Sequence, residues 1–373
     1  MAATEFRILR KLSEIDPAQW NALHDGSNPF VAHAFLSGLE QHGCLRTQWG
    51  WTPYHPSLWQ GDKLLAAAPG YLKSNSHGEF VFDHAWADAF QRHGLAYYPK
   101  WLLAIPYSPV TGPRLLADDA KNRDAMLGEI CAHAQSIGLS SVHANFLTET
   151  DNASLDSPWL ARTDVQFHWH NQDWLDFDAF LHSLQRKKRK NILQERAKVK
   201  AAGVRFRWVG GHEASDQELQ AMHDLYLQTF DAYGNSPALT LPFFRHLATR
   251  LPDSLVLILA ERDNRIIAGA LCLRGGDTLY GRYWGCSESL PGLHFETCYY
   301  QGIEYCLKHR LRCFEPGAQG QHKIARGFLP TSTYSRHWIS HPEFSQAIER
   351  WCAHERQATA AYEAELLQHS PFA

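Results

Sequence analysis

Residues 280–326 read YGRYWGCSESLPGLHFETCYYQGIEYCLKHRLRCFEPGAQGQHKIAR. Phe295, Tyr299, Ile303 and Leu307 recur every four residues, which predicts a helix from His294 with one buried stripe. Pro291 and Gly292 mark its start, and Arg310 to Arg312 follow its end, where cations are favoured. Cys313 and Phe314 then open a short strand that stops at Pro316-Gly317. The stretch is strand, turn, helix, strand, and a polar loop from Glu315 to Arg326 in which the chemistry is concentrated.

Working outward, Leu255 to Leu273 reads as a hairpin turning at Asp263-Asn264, and Tyr280 to Gly285 continues the sheet. The first half has the same order. Pro56 to Leu72 is a hairpin, Trp101 to Ile105 a strand, Lys121 to Ile137 a helix, and Ser141 to Phe146 a strand. This weak repetition predicts a tandem α/β duplication, with a first domain at 1–165 and a second at 166–373. Residues 74–98 read as irregular. A basic helix over about 183–202 opens the second domain, and Pro342 to Gln368 is assigned to it as a long C-terminal helix.

With 373 residues, two domains of ordinary size are expected. A net charge of -3 excludes a general polyanion binder, so any phosphate affinity must be local. None of the eight cysteines forms C-x-x-C, which argues against a disulfide framework or zinc knuckle. No apolar run suits a membrane span or signal peptide, so a cytoplasmic location is expected.

Arg186, Lys187, Lys188, Arg189 and Lys190 wrap all sides of a helix; some solvate, and the inward-facing ones suit a phosphate-rich ligand. Glu315, Gly317, Gly320, His322, Lys323 and Arg326 form the strongest chemical cluster. It holds a possible base, a proton carrier, an anion contact and glycines that permit close backbone approach. The plainer alternative is a sealing loop with Glu315 paired to Arg326. Tyr283 is a candidate acid. Since Arg282 and Tyr283 alternate along a strand, only one is expected to face a cleft. Pro291-Gly292 offers a helix start as an anion cradle, without a P-loop or dinucleotide fingerprint. His168 and His170 share a strand face, but no third metal ligand lies nearby in sequence, and no metal is expected.

The basic helix RKKRKNILQERAKVKAAGV, the hairpin IIAGALCL, RYWG, L-P-G before a helix, and FEPGAQGQHKIARGF together resemble the FemAB-like branch of the GNAT acyltransferase superfamily. The resemblance runs over nearly the whole chain, with Lys188, Lys190, Asn191, Ile192, Gly317, Gly320 and Lys323 at motif positions. It is closest to a bacterial subgroup named for peptidoglycan biosynthesis or recognition. It implies two GNAT-like domains facing each other across a cleft and an N-acyltransferase acting on a small-molecule or peptide amine. The donor would be an acyl-CoA or an aminoacyl-tRNA, although the R/Q-x-x-G-x-G/A signature is missing around Ser287 to His294. In this reading the backbone from Tyr283 to Cys286, Gly285 included, grips the donor, while Pro291-Gly292 and the basic helix hold phosphates. Glu315 or His322 relays the amine proton, and Lys323 binds an anion. A non-catalytic protein that recognises a cell-wall fragment or nucleotide-linked ligand is the alternative.

Overall fold

In the second half, Arg205–Gly210, Leu255–Arg262, Arg265–Gly275 and Thr278–Cys286 form an antiparallel meander. The computed structural model describes residues 4–318 and 320–373. Asp263 and Asn264 both take positive φ at the central hairpin, as a tight primed turn requires. Cys313–Glu315 adds parallel to Thr278–Cys286, and a parallel pair needs a crossover, supplied here by helix over residues 293–308. Strand Leu160–His170 then pairs antiparallel with it through Trp169 and His170. Ile303, Tyr299, Phe314, Ala270 and Cys272 meet in one buried cluster, so the helix stripe read from sequence covers this sheet.

The crossover helix is not uniform. It widens to a π turn over Glu296–Tyr300 before resuming as Gln301–Lys308. Such widenings recur at functional sites because they re-aim side chains. Arg196 of the basic helix (Arg186–Ala201) anchors this segment, bonding Glu296 and Glu304 and lying over the Phe177 ring.

Two compact units divide the chain: Met1–Asp164 with Ser332–Ala361, and Val165–Thr331 with Tyr362–Ala373. The sequence assigns the whole C-terminal helix to the second domain and predicts no strand near residue 335. Strand Leu329–Ile339 instead pairs through Tyr334 to Ile339 with Ser141–Leu147. Phe344, Ile348 and Cys352 of helix Pro342–Leu367 then pack with Trp86 and Phe90, so burial carries residues 332–361 into the first unit. Trp86 and Phe90 belong to a helix, His84–Arg92, within the stretch read as irregular.

Strand pairing within the first unit is mixed. Lys100–Leu103 lies parallel to Ser141–Leu147, joined by helix Ala120–Ser136, whose Met126, Ile130 and Ala134 pack on Val142 and Ala144. Its interior holds a buried ion cluster: Lys100 Nζ donates to Glu79 (2.8 Å), Asp83 and Ser76. Buried charges persist only when paired in this way. No helix among the described residues is long and apolar enough to cross a membrane.

Candidate functional site

The parallel strands Thr278–Cys286 and Cys313–Glu315 pair only at Thr278, Leu279 and Tyr280. Pro316, which has no N–H to continue the ladder, then leads the shorter chain away, while the longer strand runs on through residues 281–286. This splay opens a cavity of about 280 Å³ within the second unit. Gly281, Arg282, Tyr283 and Trp284 form one wall, His294, Cys298 and Tyr299 of the crossover helix another, and Pro316, Gly317, Ala318, His322 and Lys323 a third. Gly281 allows the divergence to start tightly, since a Cβ there would stand 3.3 Å from the Pro316 Cα.

Arg282 and Tyr283 both line this cavity, which corrects the expectation that alternation would admit only one. The pairing register shifts between Leu271 and Cys272, opposite Tyr283 and Gly281, leaving Arg282 as the extra residue of a bulge. The Tyr283 ring also packs edge-on against Tyr226, 4.9 Å between centroids.

Lys323 is the chemical centre. Its side chain is only 3% exposed, and its Nζ donates to the Gly317 carbonyl at 2.5 Å. Burial lowers its pKa to about 8, so the amine is cationic at neutral pH but close to its titration point. His322 shares a 2.9 Å hydrogen bond with the Tyr299 hydroxyl. Burial, then the neighbouring charges of Arg326 and Lys323, lower the His322 pKa. The same causes take His294 down to about 4, with burial the largest and His322, Lys323 and Arg326 adding to it. Both imidazoles are therefore neutral near pH 7 and able to accept a proton. Burial raises the Cys298 thiol well above its ordinary value, which keeps it protonated and a poor nucleophile.

Three expected contributors stand elsewhere. Glu315 is absent from the cavity lining; it is buried in register with Tyr280, and its charge bears on Tyr280 and Cys313. Arg326 pairs neither with Glu315 nor with an open site. Its guanidinium donates to Glu195 Oε1 (2.7 Å), the Tyr300 hydroxyl (3.0 Å) and the His322 carbonyl (2.8 Å), and stacks on Phe295. Gly285 is set by packing, since a Cβ there would run into the Leu225 carbonyl of helix Asp216–Ala232.

The basic run and the Pro291-Gly292 turn are not brought together. Gly292 rests against Glu195 and Val199, further along the basic helix, and neither Pro291 nor Gly292 lines the cavity. Arg186, Lys187 and Lys190 are exposed on the first turns of that helix, with Lys188 and Arg189 partly buried. Gly320 holds a positive φ of 119° with the His322 ring folded against it, which orders the loop carrying Lys323. His294, Cys298 and Tyr299 are cavity residues to which the sequence reading gave no role, and Trp284 entered it only as part of the donor-gripping backbone. The three on the crossover helix have one local signal, the irregularity of that helix, which is invisible in a four-residue apolar repeat.

Residues 11–373 match the model of a family described as FemAB-like, peptidoglycan biosynthesis/recognition. No curated protein sequence matches the chain. Among solved structures, FemX is similar with a TM-score of 0.54 and 11% identity, covering 90% of this chain and 98% of that one. L-PGS from Bacillus licheniformis gives a TM-score of 0.51 at 9% identity, covering 91% and 97%. A conserved protein of unknown function from Bacteroides thetaiotaomicron gives 0.50 at 10% identity, covering 89% and 99%. At such identities the likeness is one of fold, a mixed α/β architecture of sheet and flanking helices.

Proposed function

The chain belongs to the FemAB-like family, and from that premise we propose that it transfers an acyl or aminoacyl group from an activated ester or thioester to a primary amine. The observation that carries this reading is the buried Lys323 amine in the splay-opened cavity, beside His294, kept neutral by burial, and the more exposed His322, whose pKa is also lowered.

The acceptor amine attacks the donor carbonyl, forming a C–N bond; the tetrahedral oxyanion then collapses, expelling the alcohol or thiol. Each step needs a group of suitable charge. His294 or His322 takes the proton lost by the amine and returns it to the leaving group. Lys323, cationic and fixed by Gly317, stabilises the oxyanion. Tyr283 and Trp284 orient the donor along the uncovered strand edge. Burial keeps the Cys298 thiol protonated and a poor nucleophile, which favours direct transfer between donor and acceptor over an acyl group carried on Cys298. The exposed cations Arg186, Lys187 and Lys190 hold phosphates of a coenzyme or tRNA donor.

Incubating the protein with acyl-CoAs or aminoacyl-tRNAs and a panel of small and peptide amines tests the reading. A mass gain on an acceptor equal to the acyl group is expected. Tight binding of donor and acceptor with no gain across the panel would replace it with a recognition role.

A further inference from the structure

We propose that His168, His170 and Cys313 form a binding site for zinc or a similar borderline divalent transition metal. His168 and His170 are two residues apart on strand Leu160–His170 and so share a face. Cys313, far along the chain, is the register partner of His170 and stands on that same face of the neighbouring strand. The sequence offered two histidines and no third ligand nearby; strand pairing supplies it. Donor atoms of all three side chains lie within 4.8 Å of one another, so side-chain rotation alone would bring them to the edge of roughly 3.5 Å that a tetrahedral zinc shell needs.

The chemistry and surroundings suit the ion. One thiol and two imidazoles are a donor set preferred by zinc, with a fourth position left for water. His168 is buried, and Gln166 Oε1 holds its ring from 3.2 Å, while the exposed His170 leaves an entry path. The Glu315 and Asp277 carboxylates bear on Cys313 and favour a cation. Lys323 bears on His168 and opposes one, so the ion must take its binding energy from the ligands. Coordination would pin strand Leu160–His170 to the short strand that leads into the Lys323 loop. This site stands independently of the transfer reaction.

The test uses the untagged full chain, stripped with a chelator and dialysed, then titrated with zinc chloride by calorimetry and with cobalt(II) chloride by absorbance. One equivalent of each should bind, and cobalt should give a thiolate charge-transfer band in the near ultraviolet. Cys313→Ser should abolish the band and weaken zinc at least about tenfold, as loss of a ligand does. His170→Ala, at an exposed position where folding is not at stake, should weaken zinc similarly. Absence of zinc uptake at micromolar concentration, cobalt binding without the thiolate band, or uptake unaltered by both substitutions would each overturn the proposal.

Discussion

The Lys323 ammonium donates to the Gly317 carbonyl at 2.5 Å, so the loop between them closes on its own charged group. Strand splay makes the cavity, Pro316 turns the chain out of the ladder, and this hydrogen bond returns the amine to the cavity wall.

The pH dependence follows from two displacements in the same direction, since Lys323 and the imidazoles are all pushed toward their neutral forms. The Lys323 pKa is lowered to about 8 from an ordinary 10.5, so the unfolded chain binds more protons between those values. Its contribution to stability is therefore fully present above about pH 10.5 and is lost as pH falls through about 8. The difference in melting temperature between wild type and Lys323→Met, followed from pH 7 to 10.5, should shift in favour of wild type as pH rises. Transfer needs the cation, so kcat/KM should fall as pH rises through about 8, and also on the acid side as His322, lowered from its ordinary value, and His294, at about 4, become charged. A profile flat from pH 7 to 10 would disagree, since that range spans the lowered pKa of about 8.

Arg326 acts as a brace. Glu195 accepts from both Arg326 and the Tyr300 hydroxyl, and the two charged side chains are 11% and 23% exposed. Glu195→Gln should cost about 1.5–3 kcal/mol in chemical denaturation, the range for hydrogen bonds to charged groups. Donor affinity should change little. A large affinity loss with unchanged stability would place Arg326 in the site instead.

Gly285→Ala should destabilise by about 1–3 kcal/mol, because the added Cβ meets the Leu225 backbone, which cannot rotate away. Urea denaturation measures this directly. A neutral result would mean that helix Asp216–Ala232 can shift on the sheet.

Much of the second unit was legible because its signals are local. The four-residue apolar repeat gave the crossover helix, and Asp263-Asn264 gave the hairpin turn. Gly317, Gly320 and Lys323 stood out because glycines and a lysine in one short loop suit little else. The features that escaped depend on residues far apart in the chain. Strand Leu329–Ile339 is polar for much of its length and finds its partner at 141–147, so residues 332–361 seemed to belong with the second half. Glu315 looked catalytic from its neighbours in sequence, yet the register that buries it with Tyr280 is set by strand pairing. Cys298 and Tyr299 line the cavity from a π turn that no apolar period encodes, and His294 from the turn just before it.

Replacing the exposed Arg186, Lys187 and Lys190 with Gln should change stability by no more than about 0.5 kcal/mol for each substitution, as is usual at surface positions. The proposed phosphate role predicts a raised donor KM and a shallower dependence of affinity on salt. The log–log slope should flatten by about one for each phosphate that no longer meets a cation. An unaltered KM and salt slope would confine the run to solvation.

The most direct measurement is single-turnover transfer by Lys323→Ala and Lys323→Arg beside wild type, with donor binding followed separately. A lysine that stabilises the oxyanion predicts that Lys323→Ala loses about 10²–10³ in the rate of the chemical step while the fold and much of the donor affinity remain. Lys323→Arg should recover part of that loss. Transfer at the wild-type rate by a folded Lys323→Ala protein would contradict the central claim.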